Sequence, residues 1–268
     1  MGVFMELYGL IGEKLGHSLS PQLHRCIYRE TGRRGAYYTP YEVERERLDQ
    51  VVPAMRTLGI GGFNVTMPYK QDIMQYLDGV ERDARAIGSV NTLLRRCDGG
   101  VWGHNTDAYG FVASLGYHGV EIEGKRFVMC GMSGAGRAIR HGLTQAGAAE
   151  VVVVSTDPQK GISYRELEQL PPKDVIVNCT PLGMFPHVDR CAVDDKVLQK
   201  FAVAVDIVYN PLETLFLRKA RGLGLATVDG LYMLIFQGMR SFEIWTDTGL
   251  SGELAGDIYK ELAPLIQP

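Results

Sequence analysis

The sequence has little that would mark a secreted, membrane-bound or nucleic-acid-binding protein. Its 268 residues hold five cysteines: Cys26, Cys97, Cys130, Cys179 and Cys191. They are odd in number, scattered, and without a C-x-x-C or zinc spacing, which argues against a disulfide framework and points to the reducing cytoplasm. No apolar run reaches the roughly 18 residues a membrane span needs. The stretch MGVFMELYGLIG lacks a basic region followed by an apolar one, and Glu6 stands where a myristoylation motif wants Ser or Thr, so neither a signal peptide nor a lipid anchor is expected. Charge of either sign is not in excess: Lys+Arg 28 against Asp+Glu 31 gives a formal net charge of -3. Neither a nucleic-acid nor a membrane partner is therefore expected, and a small molecule is the better partner. The six histidines show no metal-ligand spacing; His17 and His24 lack carboxylate company, and His17 reads as a loop hydrogen-bonder. Repeats of solenoid period and low-complexity stretches are also missing.

What is present is an alternation of short apolar runs with amphipathic stretches, the pattern of α/β units, in a chain long enough for two domains. Strands are expected at Glu6 to Ile11, Tyr37 to Val43 and Gly61 to Val65, with a hairpin pairing Val90 to Arg95 with Val101 to His104 across Asp98-Gly99-Gly100. Ser20-Pro21 reads as N-cap and first-turn proline of a helix closed by Gly32. Pro53 inside the helix-like stretch Glu46 to Leu58 requires a kink or a restart, and Pro68 can begin a further helix. After Asp107 a nucleotide-binding pattern appears: strand Arg126 to Cys130, loop Gly131 to Gly136, helix Arg137 to Gln145, then fully buried strands at Val151 to Val154, Val175 to Asn178 and Ala202 to Ile207. Leu231 to Trp245 and Leu254 to Ile266 read as helices that return to the first domain.

Several segments carry chemistry, each with a plainer alternative. The glycines of Gly131-Met132-Ser133-Gly134-Ala135-Gly136 would let backbone approach a pyrophosphate at a helix N-terminus, or merely form a tight turn. Asn178-Cys179-Thr180-Pro181 follows a strand at the end where open α/β sheets bind ligands, and is either a turn or a cofactor wall. Ser18 and Ser20 can aim two hydroxyls at a carboxylate, or Ser20 can simply cap its helix. Asn64, Thr66 and Lys70 put an amide, a hydroxyl and an amine at one strand-to-helix turn, although a lone lysine is usually a solvated charge. Asn91 lies near the start of the hairpin's first strand, and Asp107 just past the end of its second is a reactive carboxylate or the cap of the next helix.

Taken together, HSLSPQLH, GFNVTMPYK, AIGSVNT, GHNTDAYG, NCTPLGM, DIVYNPLET and DGLYMLIFQ resemble the shikimate dehydrogenase family over almost the whole chain. The resemblance implies an N-terminal α/β substrate domain, residues 1–108 completed by 231–268, and a Rossmann-like doubly wound nucleotide domain, residues 109–230, with substrate in the cleft between them. It implies reversible reduction of 3-dehydroshikimate to shikimate, a step of chorismate and aromatic amino-acid biosynthesis. Carried over by motif, Ser18, Ser20 and Tyr209 would hold the substrate carboxylate. Asn64, Thr66, Asn91 and Gln237 would bind hydroxyls, with Lys70 and Asp107 at the reacting carbon. Gly131, Ser133, Gly134, Ala135, Ser155, Thr156, Asp157, Thr180, Ile207 and Gly230 would contact NADP or NAD. A lysine ammonium suits this chemistry because it can stabilise and protonate a developing alkoxide, with a carboxylate to orient it.

The match departs at two places. Ser133 replaces the middle glycine of the family's loop, and its Cβ narrows the approach of a pyrophosphate. Ser155-Thr156-Asp157 stands where the family shows Asn-Arg-Thr, so the guanidinium that would hold an NADP 2′-phosphate is missing, and Asp157 would repel that phosphate or accept a ribose hydroxyl. Lys160 could reach a phosphate instead, which keeps NADP open, and the segment from Asp157 to Asp174 looks shorter than the family's, as if a helix on the adenosine side were reduced. The alternatives are a quinate/shikimate or aminoshikimate dehydrogenase using NAD, or a non-catalytic binding protein on the same scaffold. Either a monomer or a homodimer is compatible with the sequence.

Overall fold

The computed structural model describes residues 5–16 and 18–266, so the reading of His17 lies outside the described residues. The chain forms two compact units, Met1–Thr106 with Gln237–Ile258, and Asp107–Phe236 with Tyr259–Pro268.

In the first unit β1 (Glu6–Gly12), α1 (Ser20–Glu30), β2 (Ala36–Glu42), α2 (Val51–Leu58), β3 (Gly62–Val65), β4 (Gly79–Val80), α3 (Arg82–Ile87), β5 (Thr92–Arg95) and β6 (Val101–His104) follow one another. The strands form one mixed sheet in the order β2-β1-β3-β5-β6-β4. β1 runs parallel to β2 and β3, whereas β5 is antiparallel to both β3 and β6. Alternate residues of β3 therefore serve opposite faces. Phe63 and Val65 join Val52, Met55, Ile73 and Leu93 in a core. Gly62 faces Trp245, and an added Cβ would fall 2.1 Å from the indole nitrogen. That indole N–H donates to the Leu93 carbonyl at 2.9 Å, and its ring stacks on Tyr8 at 4.8 Å. Glycine is the residue that admits the indole there.

In the second unit α4 (Asp107–Tyr117), β7 (Arg126–Cys130), α5 (Gly134–Gln145), β8 (Glu150–Val154), α6 (Tyr164–Gln169), β9 (Val175–Asn178), α7 (Asp195–Leu198), β10 (Val203–Asp206), α8 (Leu215–Gly222) and β11 (Ala226–Val228) build an all-parallel sheet, order β11-β10-β9-β7-β8. One face packs Phe127, Met129 and Val177 against Phe111, Ile139 and Leu143. The other packs Val128, Ile176 and Ala204 against Leu167, Leu198 and Phe216. Side chains buried on both faces are what a doubly wound sheet requires. The last helices are α9 (Gly230–Thr246) and α10 (Leu254–Leu262).

Four local expectations need correction. Ser20 is not a side-chain cap: the helix is preceded by Leu19, whose backbone is already helical, and it is Ser18 Oγ that accepts the Ser20 N–H at 3.2 Å. Pro68 starts no α-helix; turns lead to a 3-10 helix at Asp72–Tyr76, because the Lys70 carbonyl is engaged by Val90 N–H at 2.8 Å rather than by a residue four further on. The nucleotide-loop helix begins at Gly134, earlier than Arg137, since Ser133 caps it. β8 is an edge strand buried fully only at its last two residues. At Pro53 the chain restarts, passing from a 3-10 helix at Arg45–Gln50 into α2.

Candidate active site

The first unit gathers its candidate residues at one end of its sheet. Ser18 and Thr66 follow the C-terminal ends of β1 and β3, while Asn91 and Thr106 flank the hairpin where Thr92 pairs with His104. Thr66 is half-buried there, with its amide on the Ile11 carbonyl at 3.0 Å.

Behind this edge lies a buried net of amides and hydroxyls. Asn64 Nδ2 donates to Ser241 Oγ at 2.8 Å and Thr92 Oγ1 at 3.1 Å, while Asn64 Oδ1 accepts from the Tyr38 hydroxyl at 2.8 Å. Asn91 Oδ1 accepts the Thr106 N–H at 2.8 Å, and Asn91 Nδ2 reaches Thr106 Oγ1 at 3.0 Å and Gln237 Oε1 at 3.4 Å. Ser241 closes the net by donating to the Gln237 carbonyl at 3.0 Å. Three residues expected to bind hydroxyls, Asn64, Asn91 and Gln237, are thus joined across 146 or more positions of sequence. Such a net is costly unless its members are satisfied, and satisfied it is rigid. His24 backs it: the ring is fully buried, stacks on Tyr38 at 4.1 Å and 11°, and burial pushes its pKa down to about 3, the Asn64 amide acting in the opposite sense. It is a neutral, buried structural ring here, within the surface or structural reading that the sequence supports for the five histidines other than His17.

Tyr38, Thr92, Thr106 and Ser241 were missed. Ser241 sits one helical turn after Gln237, a spacing that could have exposed it. Thr92 and Thr106 adjoin residues that were singled out. Tyr38, on an edge strand, carries no such signal.

Lys70 is half-buried in the turns after β3, in the first unit; Asp107, buried, is the first residue of α4, in the second. Tyr209 also belongs to the second unit, in the loop after β10, and burial raises its hydroxyl's pKa.

In the second unit every nucleotide candidate lies past the C-terminal end of a parallel strand, where doubly wound sheets bind ligands. Gly131 follows β7 with φ +97°, backbone that L side chains rarely adopt. Ser133 caps α5 by accepting the Gly136 N–H at 3.2 Å. A Cβ added at Gly134 would meet nothing within 4 Å, so the N-terminus of this helix is open toward a ligand. Ala135 belongs to the same first turn. These residues fit a pyrophosphate: free N–H groups, a helix of 12 residues behind them, and no acidic side chain in the loop. Thr180 follows β9, and its hydroxyl donates to Asn178 Oδ1 at 2.6 Å. Ile207 follows β10, and its carbonyl lies 2.4 Å from where a Cβ on Gly230 would fall, so this approach suits glycine.

Asp206 ties these loops together. Its carboxylate accepts from Asn178 Nδ2 at 3.0 Å, Val208 N–H at 2.9 Å and Thr214 Oγ1 at 2.6 Å. Burial nonetheless lifts its pKa to about 6. Sequence reading passed over both Asn178 and Asp206, although each stands in a motif it quoted.

Past β8 the chain folds back, with Ser155 N–H on the Ile162 carbonyl at 2.9 Å. Thr156 is exposed. Asp157 receives the Gln159 N–H at 3.0 Å and pairs with Lys160 at 3.0 Å. The Lys160 contact, followed by the Gln159 amide, lowers the Asp157 pKa. Only the six-residue α6 stands between this loop and β9.

The family model for the shikimate dehydrogenase substrate binding domain matches residues 10–93. A shikimate dehydrogenase (NADP(+)) of Clostridium perfringens is 44% identical over 269 residues, covering 96% of this chain and 98% of that protein. A chorismate mutase/shikimate 5-dehydrogenase fusion protein from Clostridium acetobutylicum superposes with a TM-score of 0.94 at 41% identity, covering 99% of this chain and 100% of that one. A quinate dehydrogenase from Corynebacterium glutamicum, in complex with NAD, has a TM-score of 0.87 at 29% identity over 96% of this chain and 99% of that one. No helix among the described residues is long and apolar enough to cross a membrane. On the sequence motifs, the fold and these likenesses, the chain belongs to the shikimate dehydrogenase family.

Proposed function

We propose that this chain catalyses the reversible, nicotinamide-dependent reduction of 3-dehydroshikimate to shikimate, with the first unit holding substrate and the second the dinucleotide. The observation that carries this reading is the buried net joining Asn64, Asn91 and Gln237. It holds ready, at one end of the sheet, amides suited to a polyhydroxylated ring. The reduced nicotinamide, when bound, supplies the hydride. Lys70 donates the proton that neutralises the oxygen of the reduced carbon, and Asp107 is the carboxylate assigned to the same reacting carbon. In the reverse direction the amine takes the hydroxyl proton. Ser18, Ser20 and Tyr209 bind the carboxylate, and Thr66 a hydroxyl.

For the cofactor, Gly131, Ser133, Gly134 and Ala135 would cradle the pyrophosphate, Thr180, Ile207 and Gly230 would contact the dinucleotide, and Ser155, Thr156 and Asp157 would meet the adenosine ribose. Both NADP and NAD occur among relatives. In this chain the exposed Thr156 and the Asp157 carboxylate favour a weakened preference for NADP. A quinate-oxidising activity with NAD is the second reading, on the same observation. We place the enzyme in the cytoplasm as a monomer or homodimer.

The test is Lys70→Ala assayed by nicotinamide absorbance with shikimate and quinate, each against NADP and NAD. Loss of kcat on the order of a hundredfold or more, with shikimate still bound, is expected. A folded variant with unchanged kcat would remove Lys70 from the chemistry.

A further inference from the structure

A primary amide offers two N–H donors and an oxygen with two lone pairs. At Asn64 the surrounding groups decide which of these remain for a ligand. Its Nδ2 lies 3.3 Å from the backbone carbonyl of Asn91, 3.1 Å from Thr92 Oγ1 and 2.8 Å from Ser241 Oγ. The Asn91 carbonyl has no hydrogen to give, so the nitrogen of Asn64, not its oxygen, must face it. That fixes an orientation which electron density alone seldom distinguishes.

The Ser241 hydroxyl is oriented in turn, because its proton has the Gln237 carbonyl one turn earlier at 3.0 Å and Thr92 Oγ1 at 2.9 Å to go to. Toward Asn64 it can then only accept. At the other end of the amide, Tyr38 donates to Oδ1 at 2.8 Å, its ring held by the stacked His24 at 4.1 Å. Both N–H groups of Asn64 and one lone pair of its oxygen are therefore committed inside the unit. The unspent capacity is the second lone pair of Oδ1, because neither nitrogen of the neighbouring buried His24 ring forms a hydrogen bond among the described residues.

We infer that Ser241 and Tyr38 are positioning residues that present Asn64 to substrate as an acceptor, so that this position selects a ring hydroxyl that donates and disfavours an acceptor-only group of the same size. The inference deepens the proposed function and rests on Asn64 being a substrate contact. It separates a hydroxyl from a carbonyl, an ether or a fluorine, none of which can donate. Setting such a group against a fixed, buried acceptor leaves that acceptor unpaired and places two negative dipoles together, at a loss of roughly ten- to a hundredfold in binding.

The experiment compares shikimate with analogues in which each ring hydroxyl that is not oxidised is replaced in turn by fluorine or by hydrogen, measuring KM and kcat on wild-type enzyme and on Ser241→Ala. At one position the fluoro analogue should bind at least threefold more weakly than the deoxy analogue, because fluorine is repelled where hydrogen is merely neutral. Ser241→Ala, which removes the shortest acceptor on the amide nitrogen, should shrink that ratio toward one and raise KM for shikimate about tenfold, with a smaller change in kcat. A general loss of packing would not move the ratio. A fluoro analogue that matches or outbinds the deoxy analogue at every position in wild type overturns the proposal, even if Ser241→Ala does not fold. So does a folded Ser241→Ala with unchanged KM and ratio. Asn64→Ala with unchanged KM for shikimate would overturn instead the reading on which the proposal rests.

Discussion

Asp206 Oδ1 lies 3.0 Å from Asn178 Nδ2, joining the ends of neighbouring strands β10 and β9 inside the second unit. Through this contact the Thr180 loop and the Ile207–Tyr209 loop share one buried carboxylate. Its pKa is raised from 3.8 to about 6, burial outweighing the three hydrogen bonds. Between those values the folded state binds more protons than the unfolded one, so stability is fully present below about pH 4 and falls as pH rises through about 6. At roughly 1.4 kcal/mol per pKa unit, the whole effect is on the order of 3 kcal/mol. Asp206→Asn keeps an acceptor for Asn178 and Val208 and removes the titration. Denaturant unfolding of both proteins from pH 4 to pH 7 should show a flatter profile for the variant; parallel profiles would mean that Asp206 does not carry this dependence.

Ser18→Ala should mainly raise KM for shikimate. A carboxylate contact remote from the reacting carbon holds ground and transition states alike, so kcat changes little. Ser18 also accepts the Ser20 N–H, so helix content by circular dichroism should accompany the kinetics. A fall in kcat alone would argue against the carboxylate assignment.

The adenosine end offers a third test. Without a guanidinium at position 156, a 2′-phosphate loses charge-assisted hydrogen bonds worth roughly 1.5 to 3 kcal/mol each, about ten- to a hundredfold in affinity. Lys160 is paired with Asp157 at 3.0 Å, so a phosphate that recruits this lysine must compete with a carboxylate. Thr156→Arg with Asp157→Thr should move the kcat/KM ratio toward NADP. If wild type already prefers NADP strongly and Lys160→Ala abolishes that preference, the lysine holds the phosphate and the reading of Asp157 is wrong.

Gly62→Ala tests the packing behind the substrate net. The new methyl would fall 2.1 Å from Trp245 Nε1 and 2.7 Å from the Leu93 carbonyl, and it would displace the indole from that carbonyl. Overpacking of this kind costs about 1 to 3 kcal/mol or more. Thermal unfolding should drop by several degrees, with a shift in tryptophan emission. An unchanged midpoint would show that the indole can move aside freely.

The sequence by itself determined nine of the eleven strands among the described residues, because apolar and β-branched runs of four to seven residues bounded by turn residues pair wherever backbone polar groups must be satisfied; the short β4 and β11, of two and three residues, carry no such run. It also determined the glycine loop after β7 and the hairpin at Asp98-Gly99-Gly100, where local backbone demands are met by local residues. The motifs named Asn64, Asn91 and Gln237 singly. Tertiary structure alone decided what those amides do, since Ser241 lies 177 positions from Asn64 and Tyr38 26 positions away, and a hydrogen bond's direction depends on what else its partners already hold. It likewise decided that Ser18 rather than Ser20 accepts at the start of α1 and that Ser133 caps α5. Asp206 follows the same logic: a carboxylate's affinity for its proton is set by burial, and burial belongs to the folded chain.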